Sequence, residues 1–573
     1  MKIIRRVHQP GSHQLPEGLH PVLKEVYLNR GITSADELEL TLQRLHHADQ
    51  LSGIEKAVAL LVEAIAQQQR ILIVGDFDAD GATSCALSVR ALHAMGADHV
   101  DYLVPNRFDF GYGLSPQLVE VAAEQQPDLI ITVDNGISSI EGVAAAKAHG
   151  ITVIVTDHHL PGSGLPDADA IVNPNLADDA FPSKNLAGVG VVFYLMAALR
   201  TALRQQGWFD KLQINEPNLA DYLDLVALGT VADVVPLDHN NRILVENGLK
   251  RIRAGRSCAG ITALLEVAKR SRRRLAATDL AFALGPRLNA AGRLEDMSLG
   301  IELLLTDDAD QAQQMADQLN SLNLQRREIE EEMKQQAVEL LGEIDLADEE
   351  ALPTGVVLFD QRWHQGVIGI LASRIKERCH RPVIAFAADT SEDLKGSARS
   401  IAGVHIRDVL DAIATRNPGL IKKFGGHAMA AGLTLPRKHL RYFHQAFADE
   451  VDRLVTSEQL QGRIDSDGEL TTADLTLELA HVIRDGGPWG QHFPEPLFDG
   501  TFRIKNHKIV ARRHLKLMLT PEDASAPVIE AMAFNQAEDS SVARGDLVEI
   551  AYRLDINAYF GEERLQLVVQ CVQ

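Results

Sequence analysis

Three carboxylates stand at alternate positions in Gly75-Asp76-Phe77-Asp78-Ala79-Asp80-Gly81, directly after the apolar run Ile71–Val74. Asp-x-Asp-x-Asp-Gly also opens a calcium-binding EF-hand loop, but that chemistry needs a bidentate Glu at the twelfth position. Leu87 stands there, and the preceding segment reads as a strand rather than a helix. Three further apolar runs end in the same kind of residue. Residues 129–133 end in Asp134-Asn135-Gly136, residues 151–156 in Asp157-His158-His159, and Leu223–Val231 in Ala232-Asp233. If these runs are neighbouring parallel strands, six carboxylates and two imidazoles converge on one rim. Mutual repulsion would raise some of their pKa values unless cations neutralise them. Two divalent ions bridged by one carboxylate would do so, and oxygen ligands with an imidazole or two suit Mn²⁺ or Mg²⁺. A single Asp at a strand end is ordinarily a helix cap, and Asp157 reads equally as a capping or orienting residue. Four such ends in one domain are hard to explain by capping.

The elements that must position these residues follow from hydrophobic patterning. The runs Arg70–Gly75, Val100–Val104, Asp128–Val133 and Ile151–Thr156 are continuously apolar and separated by Ala-rich helical stretches. That pattern predicts a doubly wound α/β domain with a buried parallel sheet, whose ligands bind beyond the carboxyl ends of the strands. We expect a helical lead-in over 1–48, the catalytic domain over 49–306, and one long connecting helix over 307–345. A smaller α/β domain over 350–455 and a β-barrel over 460–573 complete the expected order.

With 573 residues, the chain has room for three or four domains at about 150 each. Its 46% hydrophobic and 24% charged residues are ordinary for a globular protein. Cys85, Cys258, Cys379 and Cys571 form no CxxC pair, which argues against a disulfide scaffold or a thiolate zinc site. No apolar run approaches the roughly 18 residues of a membrane helix, and the first residues carry charge with no apolar run behind them. A cytoplasmic protein is expected. The net charge of −23 argues against a general nucleic-acid coat. Two clusters run the other way. Lys269–Arg274 (KRSRRR) reads as solvated surface. Thr501–Thr520 carries Arg503, Lys505, Lys508, Arg512, Arg513 and Lys516 and no acid, interleaved with Phe502, Ile504, Ile509, Val510, Leu515 and Leu517. This reads as strand with one cationic face, a footprint for nucleic acid.

Asp76-x-Asp78-x-Asp80, Asp134-Asn135-Gly136, Asp157-His158-His159 and Gly229-Thr-Val-Ala-Asp233 resemble motifs I to IV of the DHH phosphoesterase superfamily. Gly425-Gly-His-Ala-Met-Ala-Ala-Gly432 resembles the signature of its companion DHHA1 domain. With Gly285-Pro-Arg-Leu-Asn-Ala-Ala-Gly-Arg293, His364-Gln-Gly-Val-Ile-Gly369 and the β-rich tail, nearly the whole chain is similar to the single-strand-specific 5′→3′ DNA exonucleases of that superfamily. One departure lies in the tail, at Pro488-Trp-Gly-Gln-His-Phe-Pro-Glu-Pro496. The resemblance implies a metal site of Asp78, Asp80, Asp134, His158 and Asp233, with Asp134 bridging and Asp76 beside them. It places His159 at the scissile phosphate, as proton donor or charge stabiliser, with Asp157 next to it. Two divalent ions, Mn²⁺ or Mg²⁺, about 3.5–4 Å apart would activate a water for in-line attack.

The second domain would hold the strand end through Ser397, Arg399, Gly425, Gly426 and His427, with Arg107 near the first sheet. Small-residue helix packing explains Gly425–Gly432 equally well. Tyr112 would stack on a base or simply pack, and Arg287, Asn289 and Arg293 are implied along the DNA path. A narrow cleft between the sheet domain and the DHHA1-like domain would exclude duplex. The tail resembles an OB fold, which binds single strands by stacking and charge. Implied partners are single-stranded DNA, single-strand-binding protein and a RecQ-type helicase, for a monomer acting in recombination and repair. The competing readings are a small-substrate phosphodiesterase, too small a class for this chain, and an inactive DNA-binding scaffold, which would have lost ligand positions that are all filled here.

Overall fold

The structure is a computed structural model that describes residues 2–8, 13–106, 113–162, 164–342, 353–389, 392–456, 458–522, 527–536, 542–558 and 562–573. Arg107 and Tyr112 lie outside the described residues. The chain forms two compact units. One holds residues 5–322 and 465–573, and the other holds 323–464 with residues 2–4.

The first unit is built on five parallel strands: β1 (Ile71–Val74), β2 (Val100–Leu103), β3 (Leu129–Val133), β4 (Thr152–Thr156) and β5 (Ala170–Val172). Their order is β2-β1-β3-β4-β5, a doubly wound arrangement whose switch point lies between β1 and β3. Every residue of β1 and β3 is buried, as strands covered by helices on both faces require. Helix α1 (Ala79–Ala94) leaves β1 through the Asp76–Asp80 loop. Helix α2 (Gly188–Gln205) contains the apolar stretch 191–199 and packs on α1.

The run Leu223–Val231 is not a fourth strand of the rim. It is a helix, α3 (Leu223–Ala232), with Asp233 as its C-cap. Its side chains from Leu223 to Val231 are all buried, so its sequence shows no polar face, and a short fully buried helix and strand look alike by periodicity. Helix α4 (Gly285–Leu294) follows a π-turn over Leu280–Leu284. Pro286 supplies no N–H to continue an α-helical ladder there, which accounts for the turn. Helix α5 (Ala309–Gly342) is unbroken at Asn320, about 51 Å long at 1.5 Å per residue, and passes from the first unit into the second at residues 322 and 323.

The lead-in is less helical than expected. Its described residues hold a strand at Lys2–Arg5, one α-helix at Pro21–Leu28 and three short 3₁₀ turns; Pro21 stands at the first position of that helix and keeps it from starting earlier. This segment is tied to the tail. Arg30, with its side chain 2% exposed, forms a two-pronged pair with Asp467 at 2.9 Å and donates to the Pro494 carbonyl. Its guanidinium lies 5.2 Å from the Trp489 ring centroid, and Arg242 lies 4.4 Å from that of Phe493. The departing loop Pro488–Pro496 thus contributes the aromatic faces of a cation-π stack.

The second unit carries a mixed five-stranded sheet of β6 (Val356–Phe359), β7 (Val383–Ala388), β8 (Asp393–Arg399), β9 (Lys423–Gly426) and β10 (Ala430–Pro436), ordered β9-β10-β8-β7-β6. Helix α6 (Ile368–Cys379) connects β6 to β7. Residues 425–432 form the β9–β10 hairpin, so the small-residue helix packing weighed for them does not occur.

The tail closes a barrel of β11 (Phe498–Val510), β12 (His514–Pro521), β13 (Ile529–Ala533), β14 (Leu547–Asn557) and β15 (Arg564–Val572), ordered β11-β12-β13-β15-β14. β13 and β15 are parallel and the other pairs antiparallel, the connectivity of an OB fold. Along β11, Phe502 and Ile504 point in while Arg503 and Lys505 point out. Past Ile504 the alternation stops and Ile509 is 54% exposed. Pairing to β14 ends at Arg503, so residues 506–509, all exposed, run on as an edge strand beside β12, which pairs with β13 on its other side. Barrel and sheet share one continuous apolar core.

Candidate metal centre

The rim at the carboxyl ends of β1, β3 and β4 gathers the acidic residues. Asp78 caps α1, its Oδ1 accepting from the N–H groups of Asp80 and Gly81 at 3.0 Å. Asp80 turns back into the protein, where its carboxylate accepts from Gly188 N–H at 2.6 Å and Val189 N–H at 3.0 Å. These are amides of the first turn of α2, whose dipole favours a carboxylate there. Asp134 sits at φ +61°, a left-handed backbone that Asp tolerates. Its neighbour Asn135 donates to the carbonyls of Val74 and Val133 at 3.0 and 2.9 Å, which ties the ends of β1 and β3 together. Asp233 arrives from the end of α3.

Asp157 has a different task. Its Oδ1 accepts from the backbone N–H of His158 and His159 and from His159 Nδ1 at 2.7, 3.0 and 2.7 Å, and its Oδ2 accepts from Ile137 N–H at 2.9 Å. All these bonds leave it orienting His159. Asn173 and Asn175 donate to the carbonyls of His159 and His158 and hold the same loop from below.

Among the described residues, three sets of side chains bring ligand atoms within 4.8 Å of one another: Asp76, Asp78 and Asp134; Asp80, His158 and Asp233; and Asp134, His158 and His159. His158 Nε2 lies 3.1 Å from Asp134 Oδ1 and 3.5 Å from Asp233 Oδ2, yet meets neither with hydrogen-bond geometry. Burial and the neighbouring His159 lower the His158 pKa, which favours a neutral imidazole with Nε2 turned toward the carboxylates. Burial and Asp233 push Asp80 up to about 7. Burial and Asp78 push Asp233 up to about 8, and burial and Asp80 raise Asp134 well above the carboxylate range. This is an oxygen-rich donor set with an imidazole, and it fits hard divalent cations. His159 differs. Burial alone would lower it, but the hydrogen bond and charge of Asp157 outweigh burial and raise it to about 9.

Without cations, the cluster makes stability fall as pH rises. Asp80, Asp233 and His159 keep protons in the folded state that the unfolded chain releases near their ordinary values of 3.8, 3.8 and 6.5. The depressed His158 opposes this only around and below pH 6.5. The melting midpoint in chelator is therefore expected to fall between about pH 6.5 and 9, with Mn²⁺ or Mg²⁺ restoring most at the alkaline end. A midpoint that rises over this window would rule the charge arrangement out.

Gly188 is a functional position that sequence reasoning missed. A Cβ there would lie 2.6 Å from Asp134 Cβ and 2.8 Å from Asp134 Oδ1. Gly188→Ala is expected to lower kcat by about ten- to a hundredfold while replacing no ligand, because it pushes on Asp134 and small displacements at such a centre are costly. Steady-state kinetics beside a Mn²⁺ titration would check it. The Gly-x-Gly at the start of an apolar helix was the available signal.

The strand-end candidates fall in the second unit. Gly425 pairs with Gly432, and Gly432 pairs with Ser397, so these positions form one row across β9, β10 and β8. Arg399 Nη1 donates to Ser397 Oγ at 3.1 Å. A Cβ at Gly369, at the start of α6, would lie 2.8 Å from Arg399 Nη2 and 3.0 Å from Ser397 Oγ, so glycine lets the helix start approach both. His427 is exposed in the hairpin turn. In the first unit, α4 carries Arg287, Asn289 and Arg293. Arg287 Nε donates to Asn320 at 3.0 Å, and Asn289 bonds into the catalytic loop. A groove of about 1190 Å³ runs between the Lys269–Asp279 stretch and the β12–β13 face of the barrel. Lys269, Lys508, Met532 and Phe534 line it together with the carboxylates of Glu495 and Asp555, and Lys516 is paired there with Glu530 at 2.6 Å. The KRSRRR cluster thus faces the barrel, with Arg274 paired to Glu563 at 3.3 Å.

Comparison with known proteins places this geometry. Residues 70–230 match the DHH family N-terminal domain, 353–455 the DHHA1 domain and 466–571 the RecJ OB domain. The chain is 54% identical over 570 residues to the single-stranded-DNA-specific exonuclease RecJ of Escherichia coli K12, covering 99% of this chain and 98% of that one. It belongs to the RecJ family. The RecJ of Dickeya dadantii is 55% identical over 561 residues, covering 97% and 96%. Among solved structures, RecJ of Thermus thermophilus in complex with Mn²⁺ superposes with a TM-score of 0.78 at 32% identity, covering 97% of this chain and 76% of that one. The catalytic sheet, hairpin-bearing sheet and barrel described above are therefore the three domains of a RecJ-family chain.

Proposed function

We propose that this chain is an exonuclease that removes nucleotides from the 5′ end of single-stranded DNA by hydrolysing phosphodiester bonds. The observation that carries the reading is the carboxylate and imidazole cluster at the sheet's switch point, in a chain similar from end to end to proteins named for that activity. Mn²⁺ is bound by the Thermus relative, and a second structure of it holds Mg²⁺.

Asp76, Asp78, Asp80, Asp134, His158 and Asp233 would hold two divalent cations, with Asp134 shared between them. Bound there, such ions polarise the phosphodiester and lower the pKa of an attacking water. The chain's own groups do the rest. His159, held by Asp157 and kept protonated to about pH 9, places a positive charge and a proton at the scissile phosphate. Ser397 and Arg399, with the open backbone at Gly425 and Gly426 and the side chain of His427, would take the terminal phosphate. Arg287 and Arg293 would follow the strand. The barrel groove offers cations beside Met532 and Phe534, a surface for charge and stacking.

Among the described residues no helix is long and apolar enough to cross a membrane. The reading extends to a cytoplasmic monomer working beside single-strand-binding protein and a RecQ-type helicase.

The test is the product pattern on a single strand of about 40 nucleotides labelled at either end, with Mn²⁺ or Mg²⁺. Mononucleotides released from the 5′ end, and none from blunt duplex, are expected. Cleavage restricted to dinucleotides, or binding without cleavage, would overturn the reading. Arg399→Ala should raise KM about tenfold or more for a 5′-phosphorylated strand and leave a 5′-hydroxyl strand unchanged, because a charge-assisted bond to the phosphate is lost.

A further inference from the structure

Helix α1 starts inside the acidic loop, so its first N–H groups need acceptors. Asp78 supplies them for Asp80 and Gly81 through its side chain and for Ala82 through its carbonyl. It does not serve the N–H of Ala79. That group donates instead to Asn289 Oδ1 at 2.7 Å, 210 residues away on α4. One turn further along the same face of α4, a Cβ at Gly292 would overlap the Phe77 carbonyl oxygen. The helix therefore touches the Asp76–Asp80 loop at two points, one polar and one steric.

We propose that Asn289 is a positioning residue of the metal centre, not a strand contact. By accepting from Ala79 N–H it leaves the Asp78 carboxylate facing the cluster. Without that acceptor, the Ala79 N–H is orphaned next to Asp78, whose carboxylate already caps the two following N–H groups and is drawn toward it and away from the cluster. The inference rests on the reading of the cluster as a metal centre and is independent of the substrate.

The experiment is Mn²⁺ calorimetry on the full chain, with kcat, KM and the melting midpoint in chelator read alongside. Asn289→Leu keeps the shape and removes the acceptor, and Asn289→Asp keeps an acceptor oxygen. Asn289→Leu is expected to weaken Mn²⁺ binding about tenfold and lower kcat by about ten- to a hundredfold, with KM for a long strand unchanged. Asn289→Asp is expected to bind Mn²⁺ within about threefold of wild type. If Asn289→Leu does not fold, Asn289→Ala carries the same expectation. Wild-type Mn²⁺ affinity in the acceptor-free variant with a raised KM would overturn the proposal in favour of a strand contact. Weakened binding in Asn289→Asp equal to that in Asn289→Leu would also overturn it. Wild type that binds no Mn²⁺ would sink the metal-centre reading and this inference together. Wild type that binds Mn²⁺ but cleaves no DNA would sink the functional reading alone, and the calorimetric comparison would still decide this one.

Discussion

Asp134→Asn is expected to reduce phosphodiester cleavage by at least about a thousandfold and, in chelator, to raise the melting midpoint above that of wild type. Both effects follow from one position. Asp134 belongs to two of the three ligand sets, so losing its charge weakens both halves of the centre at once. Without cations, the same charge is buried among Asp80, Asp78, Asp233 and Asp76, and its pKa is pushed up by burial and by them. Replacing it with a neutral amide removes a repulsion that the folded state otherwise carries. Asn is the right probe because it shares the tolerance of Asp for the left-handed backbone at φ +61°. Single-turnover cleavage and thermal melting with and without Mn²⁺ would check both halves. A variant that lost activity and also melted lower in chelator would point to misfolding of the turn.

Asp157→Asn should lower activity at about pH 7.5 by about tenfold or more and move the alkaline limb of the pH profile down from about 9. His159 owes its raised pKa to Asp157, since burial acts in the opposite direction. With the carboxylate gone, burial is opposed only by the weaker pull of Asp233 and Asp76, and the imidazole loses its proton at lower pH. If the protonated form is the working one, the variant recovers activity as pH falls, a pattern expected of an acid-base group. The Asn oxygen can take the His158 and His159 amides that Oδ1 now holds, while the Ile137 N–H loses its Oδ2 acceptor, so the loop should survive with a modest loss of stability. A uniform loss at every pH, with no shift of the limb, would leave Asp157 as a structural cap only.

The acids of the rim were legible because strand ends are local. An apolar run followed by a carboxylate is visible within a short window, and Asp76 to Asp80, Asp134, and Asp157 to His159 were found that way. The groups that aim them were not. Gly188 and Asn289 reach the rim from far along the chain, and the residues around them do not say which group they face. The same limit hid the helical nature of Leu223–Ala232, whose near-complete burial erased its periodicity. It also hid the hairpin at Gly425–Gly432, whose small residues suit close packing in either secondary structure.

The first unit is assembled from both ends of the chain, residues 5–322 and 465–573, with 323–464 between them. Arg30 lies in the lead-in, and its partner Asp467 stands 437 residues later, both side chains at 2% exposure or less. Arg5 reaches the buried Asp499 in the same way. During synthesis the lead-in therefore emerges hundreds of residues before the groups that neutralise it, and the catalytic unit cannot close until the barrel has been made. Cutting away the tail would remove Asp467, the Pro494 carbonyl and the Trp489 ring from Arg30 and bare the apolar core that the parallel sheet shares with the barrel. A truncated chain would thus lose stability as well as a nucleic-acid surface, and weakened activity in such a chain would not by itself measure what the barrel contributes to binding.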